Sequence, residues 1–228
     1  MARTRTLLGA ALVALLLTAC APAAPAPTPA ATPTPTATET VTPTPTPTSD
    51  PAVAEIRMDR TGLALLAEDG TTVLQYAWAD EGEPVVAALE EAFDGPPTIS
   101  TNPGDGTHYP DYTVYLWDGI TFYDEQNLDR PRAEYPLPSF AVFTADQSRG
   151  IRLTTASGVS VGTPVADVLA IGPVKTLEWG NYGTAYLIDV AEGVDPASPD
   201  PVGGAVAAVA DPDDTTIVEV RYIYDGGQ

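Results

Sequence analysis

Two stretches decide how this chain folds: GEPVVAAL at Gly82–Leu89 and GTPVADVL at Gly162–Leu169. They lie eighty residues apart and share the pattern Gly-x-Pro-Val. In each, the proline follows the residue expected to cap a helix, Glu83 or Thr163, where a missing N–H costs nothing. Apolar residues then fall at helical spacing: Val85, Leu89, Ala92 and Phe93 in the first copy, and Val165, Val168 and Leu169 in the second. This spacing predicts a short helix with one buried face in each place. Gly-Pro in FDGPP and in AIGPV ends both.

The flanking segments extend the match. GLALLAEDGTTVLQY (62–76) and FAVFTADQSRGIRLTT (140–155) are apolar runs split by an acidic turn containing Gly, so each reads as a β-hairpin before its helix. After the helices come further strands. YTVYLWDGITFYDE (112–125) predicts a hairpin turning at Asp118-Gly119. TAYLIDV, GGAVAAVA and TTIVEVRYIY predict three more strands, with a turn at DPDD (211–214). In the last strand Val218, Val220, Tyr222 and Tyr224 are expected on one face, and Glu219 and Arg221 on the other. The expected fold class is α+β: two tandem repeats, 52–135 and 136–228, each a short helix packed on antiparallel strands. This order resembles the tandem α/β repeat of the β-lactamase-inhibitor-protein type and of small lipoproteins of outer-membrane assembly. The resemblance implies binding through an aromatic-rich sheet and supplies no catalytic residue. The paired disulfides of that inhibitor have no counterpart here.

The first fifty residues follow different rules. Arg3 and Arg5 precede an apolar run, Leu7–Leu17, which is too short for a hydrocarbon core of ~30 Å that takes about 20 residues to cross. Leu17-Thr18-Ala19-Cys20 follows, and it contains the one cysteine of the 228 residues. The run resembles the bacterial lipoprotein signal. The resemblance implies cleavage between Ala19 and Cys20 and a diacylglyceryl group on the Cys20 sulfur, hence a lipid anchor on the extracytoplasmic side of a cell membrane. Two fatty chains hold stably where one does not, since each buried methylene contributes about 0.8 kcal/mol. Residues 21–51 are rich in Pro, Thr and Ala, a composition that favours extended polyproline II over packing. At about 3.1 Å per residue this linker reaches roughly 90 Å when fully extended.

Charge narrows the function classes. Ten Lys and Arg face 31 Asp and Glu, a formal net charge of −21, and Lys175 is the sole lysine. Nucleic acid and anionic lipid surfaces both require Lys/Arg clusters, so neither is expected as a partner of the folded part. The remaining partner classes are the membrane, through Cys20, and an envelope protein or cell-wall component.

Catalytic signals are thin. His108, the only histidine, sits in the Gly/Pro-rich stretch TNPGDGTHYPDY, and no G-x-S-x-G motif occurs. A zinc site wants a second His or a thiolate at short spacing. The acidic stretches 124–134 and 211–214 lack the alternating order of a calcium loop and suit turns. No cofactor and no metal is expected. A carboxylate-pair hydrolase of the envelope is the alternative reading. Aromatics carry the stronger signal. They gather as Trp78, Tyr109, Tyr112, Tyr115, Trp117, Phe122 and Tyr123 in the first repeat and Trp179, Tyr182 and Tyr186 in the second, and more than half of them, those alternating within strands, suit a core. Trp179, Tyr182 and Tyr109 stand beside Gly and Pro in loops, where Tyr and Trp serve as binding anchors. They are the expected partner-binding residues of a non-catalytic interaction or scaffold module.

Overall fold

Alternation of buried and exposed side chains builds two sheets that share one core. The computed structural model describes residues 52–104, 111–126, 139–179, 183–190 and 203–225, all within the compact unit Pro47–Gln228. The five-stranded sheet holds β1 (Val53–Met58), β2 (Gly62–Ala67), β3 (Thr72–Ala77), β8 (Gln147–Ser148) and β9 (Ile151–Thr155), in the order β3-β2-β1-β9-β8. Its β1 and β9 run parallel and its other pairs antiparallel.

The eight-stranded sheet is antiparallel throughout. It holds β4 (Thr98–Asn102), β5 (Asp111–Trp117), β6 (Ile120–Gln126), β7 (Phe140–Phe143), β10 (Lys175–Glu178), β11 (Thr184–Val190), β12 (Gly203–Ala210) and β13 (Ile217–Asp225). The order is β10-β11-β12-β13-β7-β6-β5-β4. Two four-stranded meanders therefore meet where Val220 pairs with Phe143 and Arg221 with Val142. The helices α1 (Glu83–Ala92) and α2 (Val165–Ile171) each turn one face to the same core. The fold is mostly strand with two short helices, a β-rich form of the expected α+β class.

The inward residues of both sheets and helices form one cluster. Ile56, Leu65 and Leu153 of the five-stranded sheet, with Trp78 in the turn after β3, meet Phe122, Phe143, Val206 and Tyr222 of the eight-stranded one. Leu89 of α1, Phe93 at its C-cap and Val168 of α2 join them. Each large apolar side chain buried in this way contributes roughly 1.5–3 kcal/mol. Aromatic packing fixes the interface: Trp78 stacks on Tyr222 at 4.5 Å and Phe122 meets Tyr76 edge-on at 5.6 Å. Gly204 is needed here, because a Cβ at that position would collide with the Tyr222 hydroxyl.

Four local expectations are corrected. Residues 140–155 do not form one hairpin. Phe140–Phe143 pairs with β6 and β13, the chain then changes sheet, and only Gln147–Arg152 makes a tight hairpin. The helix caps are Gly82 and Pro164, and neither gives a side-chain cap. Thr163 instead accepts a hydrogen bond from the Ser160 N–H through its Oγ1, at 3.1 Å. Leu169 is 54% exposed, because α2 is seven residues long and buries only Val165 and Val168. Val218 is 46% exposed, because a register shift between Val209 and Ala210 puts Ile217 in the core ahead of Val220 and Tyr222.

Candidate functional site

The inward faces are consumed by the core, which leaves the outward faces. On the eight-stranded sheet, alternation assigns them from residues already placed. Phe122, Ala141 and Phe143 point into the core, so alternation puts Tyr123, Phe140 and Val142 on the other face, where Val142 is buried and Phe140 still packs against the core cluster. Tyr123 stacks on Phe140 with ring centroids 4.2 Å apart and planes at 8°, and Tyr112 meets Phe140 edge-on at 5.3 Å. All three rings are half-buried. Beside them on β5 stand half-buried Val114 and Leu116, the latter 47% exposed.

The second meander continues this face. Ala185, Leu187, Ala205, Ala207 and Val209 form a separate apolar cluster, with Leu177, Trp179, Val190 and Ile223 packed against it. Trp179 directly follows β10 and its backbone N–H donates to the Gly183 carbonyl at 2.9 Å. The Arg221 guanidinium lies 5.2 Å from the centre of its ring, a cation–π contact. Arg221 also pairs with Glu219 at 2.6 Å, both side chains partly exposed. Trp179 is therefore half-buried on the sheet, not a loop aromatic standing free. Tyr109 and Tyr182 lie outside the described residues, as do His108, Ala19 and Cys20. The aromatics Tyr112, Tyr123 and Phe140 and the alanine-rich cluster were not anticipated as one face. Their signal was the alternation of 112, 114 and 116 opposite Trp117, read only for its buried half.

The outward face of the five-stranded sheet is built from charge. Glu55 is buried at 6% exposure, and the exposed Arg57 and Arg152 converge on it. Arg57 Nε donates to Glu55 Oε1 at 2.8 Å, the Thr154 hydroxyl donates to the same oxygen at 3.0 Å, and Arg152 donates to Oε2 at 2.5 Å. Burial alone raises the Glu55 pKa. Hydrogen bonds from Arg57 and Thr154, with the charges of Arg57 and Arg152, outweigh it and hold the carboxyl below its ordinary value of 4.5.

The acidic turn at DPDD is organised by its own hydrogen bonds. Asp211 accepts from the Thr215 N–H at 2.7 Å and the Thr215 hydroxyl at 2.8 Å, and these bonds lower its pKa. Asp214 accepts from the Tyr186 hydroxyl at 2.8 and 2.9 Å. Burial, then that bond and the Asp214 charge, push the Tyr186 phenol up to about 12. Among the described residues no three His, Cys, Asp or Glu side chains gather as a metal site requires. The two buried acids among them, Glu55 and Glu125, belong to different sheets. A glycosidase-type pair has its carboxyl groups within about 10 Å of each other across one bond. Among the described residues, no helix is long and apolar enough to cross a membrane.

Comparison with known protein families, with curated proteins and with solved structures returned no match.

Proposed function

We propose that the chain is a lipid-anchored extracytoplasmic lipoprotein that presents a non-catalytic protein-interaction or scaffold module. In this reading cleavage after Ala19 exposes Cys20, whose diacylglyceryl group inserts in the membrane. Residues 21–51 hold the folded part clear of the surface. The outward face of the eight-stranded sheet, with Trp179 in it and Tyr182 and Tyr109 as its sequence-indicated companions, meets an envelope protein or cell-wall partner. The observation that carries the reading is this face: half-buried Tyr112, Tyr123 and Phe140 beside exposed Leu116 in one meander, and half-buried Trp179 at the end of the other. Aromatic and apolar groups left within reach of solvent on one side of a sheet are the usual makings of a protein contact.

We further propose that the module arose by tandem duplication. The series of two strands, a helix and four strands runs once from β2 to β7 and again from β8 to β13, and the two meanders take mirrored places in the sheet order. The second series starts at Gln147, later than the boundary at 136 that the sequence suggests.

The test is detergent phase separation of membranes from cells that express the chain, followed by pull-down. The wild type enters the detergent phase with its partner, Cys20→Ala moves to the aqueous phase, and Trp179→Ala stays anchored but loses the partner. Wild-type chain found wholly in the aqueous phase contradicts the anchor. Unchanged capture by Trp179→Ala together with Leu116→Lys contradicts the face.

A further inference from the structure

Each sheet has two edges, and three of the four are guarded against strand pairing. The β8 edge is two residues long. The β10 edge has four residues, with Lys175 at one end and Glu178 at the other. The β3 edge is joined to its sheet through a register shift between Leu65 and Leu66. Shortness, charge and bulges are the devices by which proteins keep sheet edges from pairing.

The β4 edge has none of them. Its sequence is Thr-Ile-Ser-Thr-Asn, without charge and without proline. It pairs with β5 in unbroken register over five residues, Thr98 with Leu116 through Asn102 with Tyr112. Every one of its residues is exposed, Ile99 at 61%. Among the described residues β5 is its only strand neighbour. One side of its backbone therefore presents N–H and C=O groups in an extended, preformed row, as strand addition requires.

The surroundings choose the occupant. Glu90 and Glu91 in α1 and Asp94 after it precede β4 across Gly95-Pro96-Pro97. At the other end the Asp111 carboxylate accepts from the Gly104 N–H at 2.7 Å. Tyr115, the partner of Ile99, registers this field: burial first, then the charges of Asp124, Glu90 and Glu83, raise its phenol above the ordinary value. Arg149, the cation that reaches this end of α1, donates to the carbonyls of Phe93 and Asp94. A second copy of the chain would bring its own charge of −21 to the same place.

We infer that the β4 edge is a strand-addition site for an extended segment of another protein, one that carries Lys or Arg and no acidic residue. The main-chain ladder supplies the register. Alternate apolar side chains of the segment lie beside Ile99, and its cations face the carboxylates at the strand ends. The inference stands on the backbone of β4 and does not depend on the outward face described above.

Three synthetic heptapeptides test it with the whole folded chain: one alternating Val and Lys, one with Glu in place of Lys, and the Lys peptide N-methylated at alternate amides. Amide hydrogen exchange and titration are the readouts. The Lys peptide is expected to slow exchange at Thr98–Asn102 and to bind at least tenfold more tightly than the Glu peptide. The N-methylated peptide is expected not to bind. Ile99→Lys, at an exposed site, is expected to keep the thermal midpoint and weaken the Lys peptide about tenfold. Equal binding of the Lys and Glu peptides, no protection of β4 amides, or concentration-dependent pairing of β4 with a second copy would each overturn the inference.

Discussion

The outward faces of the two sheets obey the same alternation but carry opposite chemistry. On the five-stranded sheet the central outward group is a buried carboxylate, Glu55, closed off by Arg57, Arg152 and Thr154. On the eight-stranded sheet it is a row of rings and small apolar side chains, with Tyr123 stacked on Phe140 and Trp179 over an alanine-rich cluster. The ionic face spends its hydrogen-bonding capacity on itself and holds β1 to β9. On the aromatic face Ala185, Leu187, Ala205, Ala207 and Val209 are themselves buried, and Leu116 with the half-buried rings of Tyr112, Tyr123, Phe140 and Trp179 is what it leaves within reach of solvent. One face is closed by its own ion pairs, and the other is the one proposed to meet a partner.

The sharpest break of this comparison is within one strand. Phe122 and Tyr123 are neighbours on β6, the first fully buried and the second on the outward face. Phe122→Ala is expected to cost about 3–5 kcal/mol in urea unfolding, the usual range for a buried aromatic. Tyr123→Ser is expected to cost about 1 kcal/mol through its lost ring contacts. Equal costs would mean that the outward face is core.

Glu55 gives the next effect. Its folded pKa is depressed, so the stability it contributes is present in full above its ordinary value of 4.5 and is lost as pH falls through the lower folded value. Glu55→Gln is expected to cost roughly 1–3 kcal/mol at pH 7, because a charged hydrogen-bond acceptor is lost. The variant should also lack the part of the acid-side decline that this group causes. Parallel unfolding curves for both proteins between pH 7 and pH 3, without convergence, would remove Glu55 from that role. Trp179→Ala follows at about 1 kcal/mol, the worth of a half-exposed cation–π contact with Arg221 plus its packing. Leu116→Lys is smallest, within about 0.5 kcal/mol as for other surface changes, and thermal melts check both.

How much of this was legible in the sequence depends on range. The hairpin at Asp118-Gly119, the strands 184–190 and 203–210 and both helices follow from neighbours in sequence, and all are present. The strand β1 went unread although VAEIRM alternates, with Ile56 and Met58 inward and Glu55 and Arg57 outward; what the sequence does not show is that its outward glutamate is buried. That glutamate is tolerated because Arg152, ninety-seven residues away, closes on it. The strand β4 has no apolar alternation to read, since nothing described covers it. Bulges defeated the rest: one register shift at Val209/Ala210 replaces Val218 by Ile217 in the core. For the candidate site, the glycine-rich setting of Trp179 suggested an exposed loop aromatic, whereas its ring is half-buried against the alanine-rich cluster. Tyr112, Tyr123 and Phe140 were missed because their meeting requires β7 to leave its expected hairpin and pair with β6.

The most direct measurement is site-specific photo-cross-linking in intact cells from two exposed or half-exposed positions, Leu116 on the aromatic face and Thr154 on the ionic face. A discrete adduct from position 116 and none from position 154 is the predicted result. Adducts from position 154 with none from position 116 would contradict the assignment of the eight-stranded sheet's outward face as the place where a partner docks.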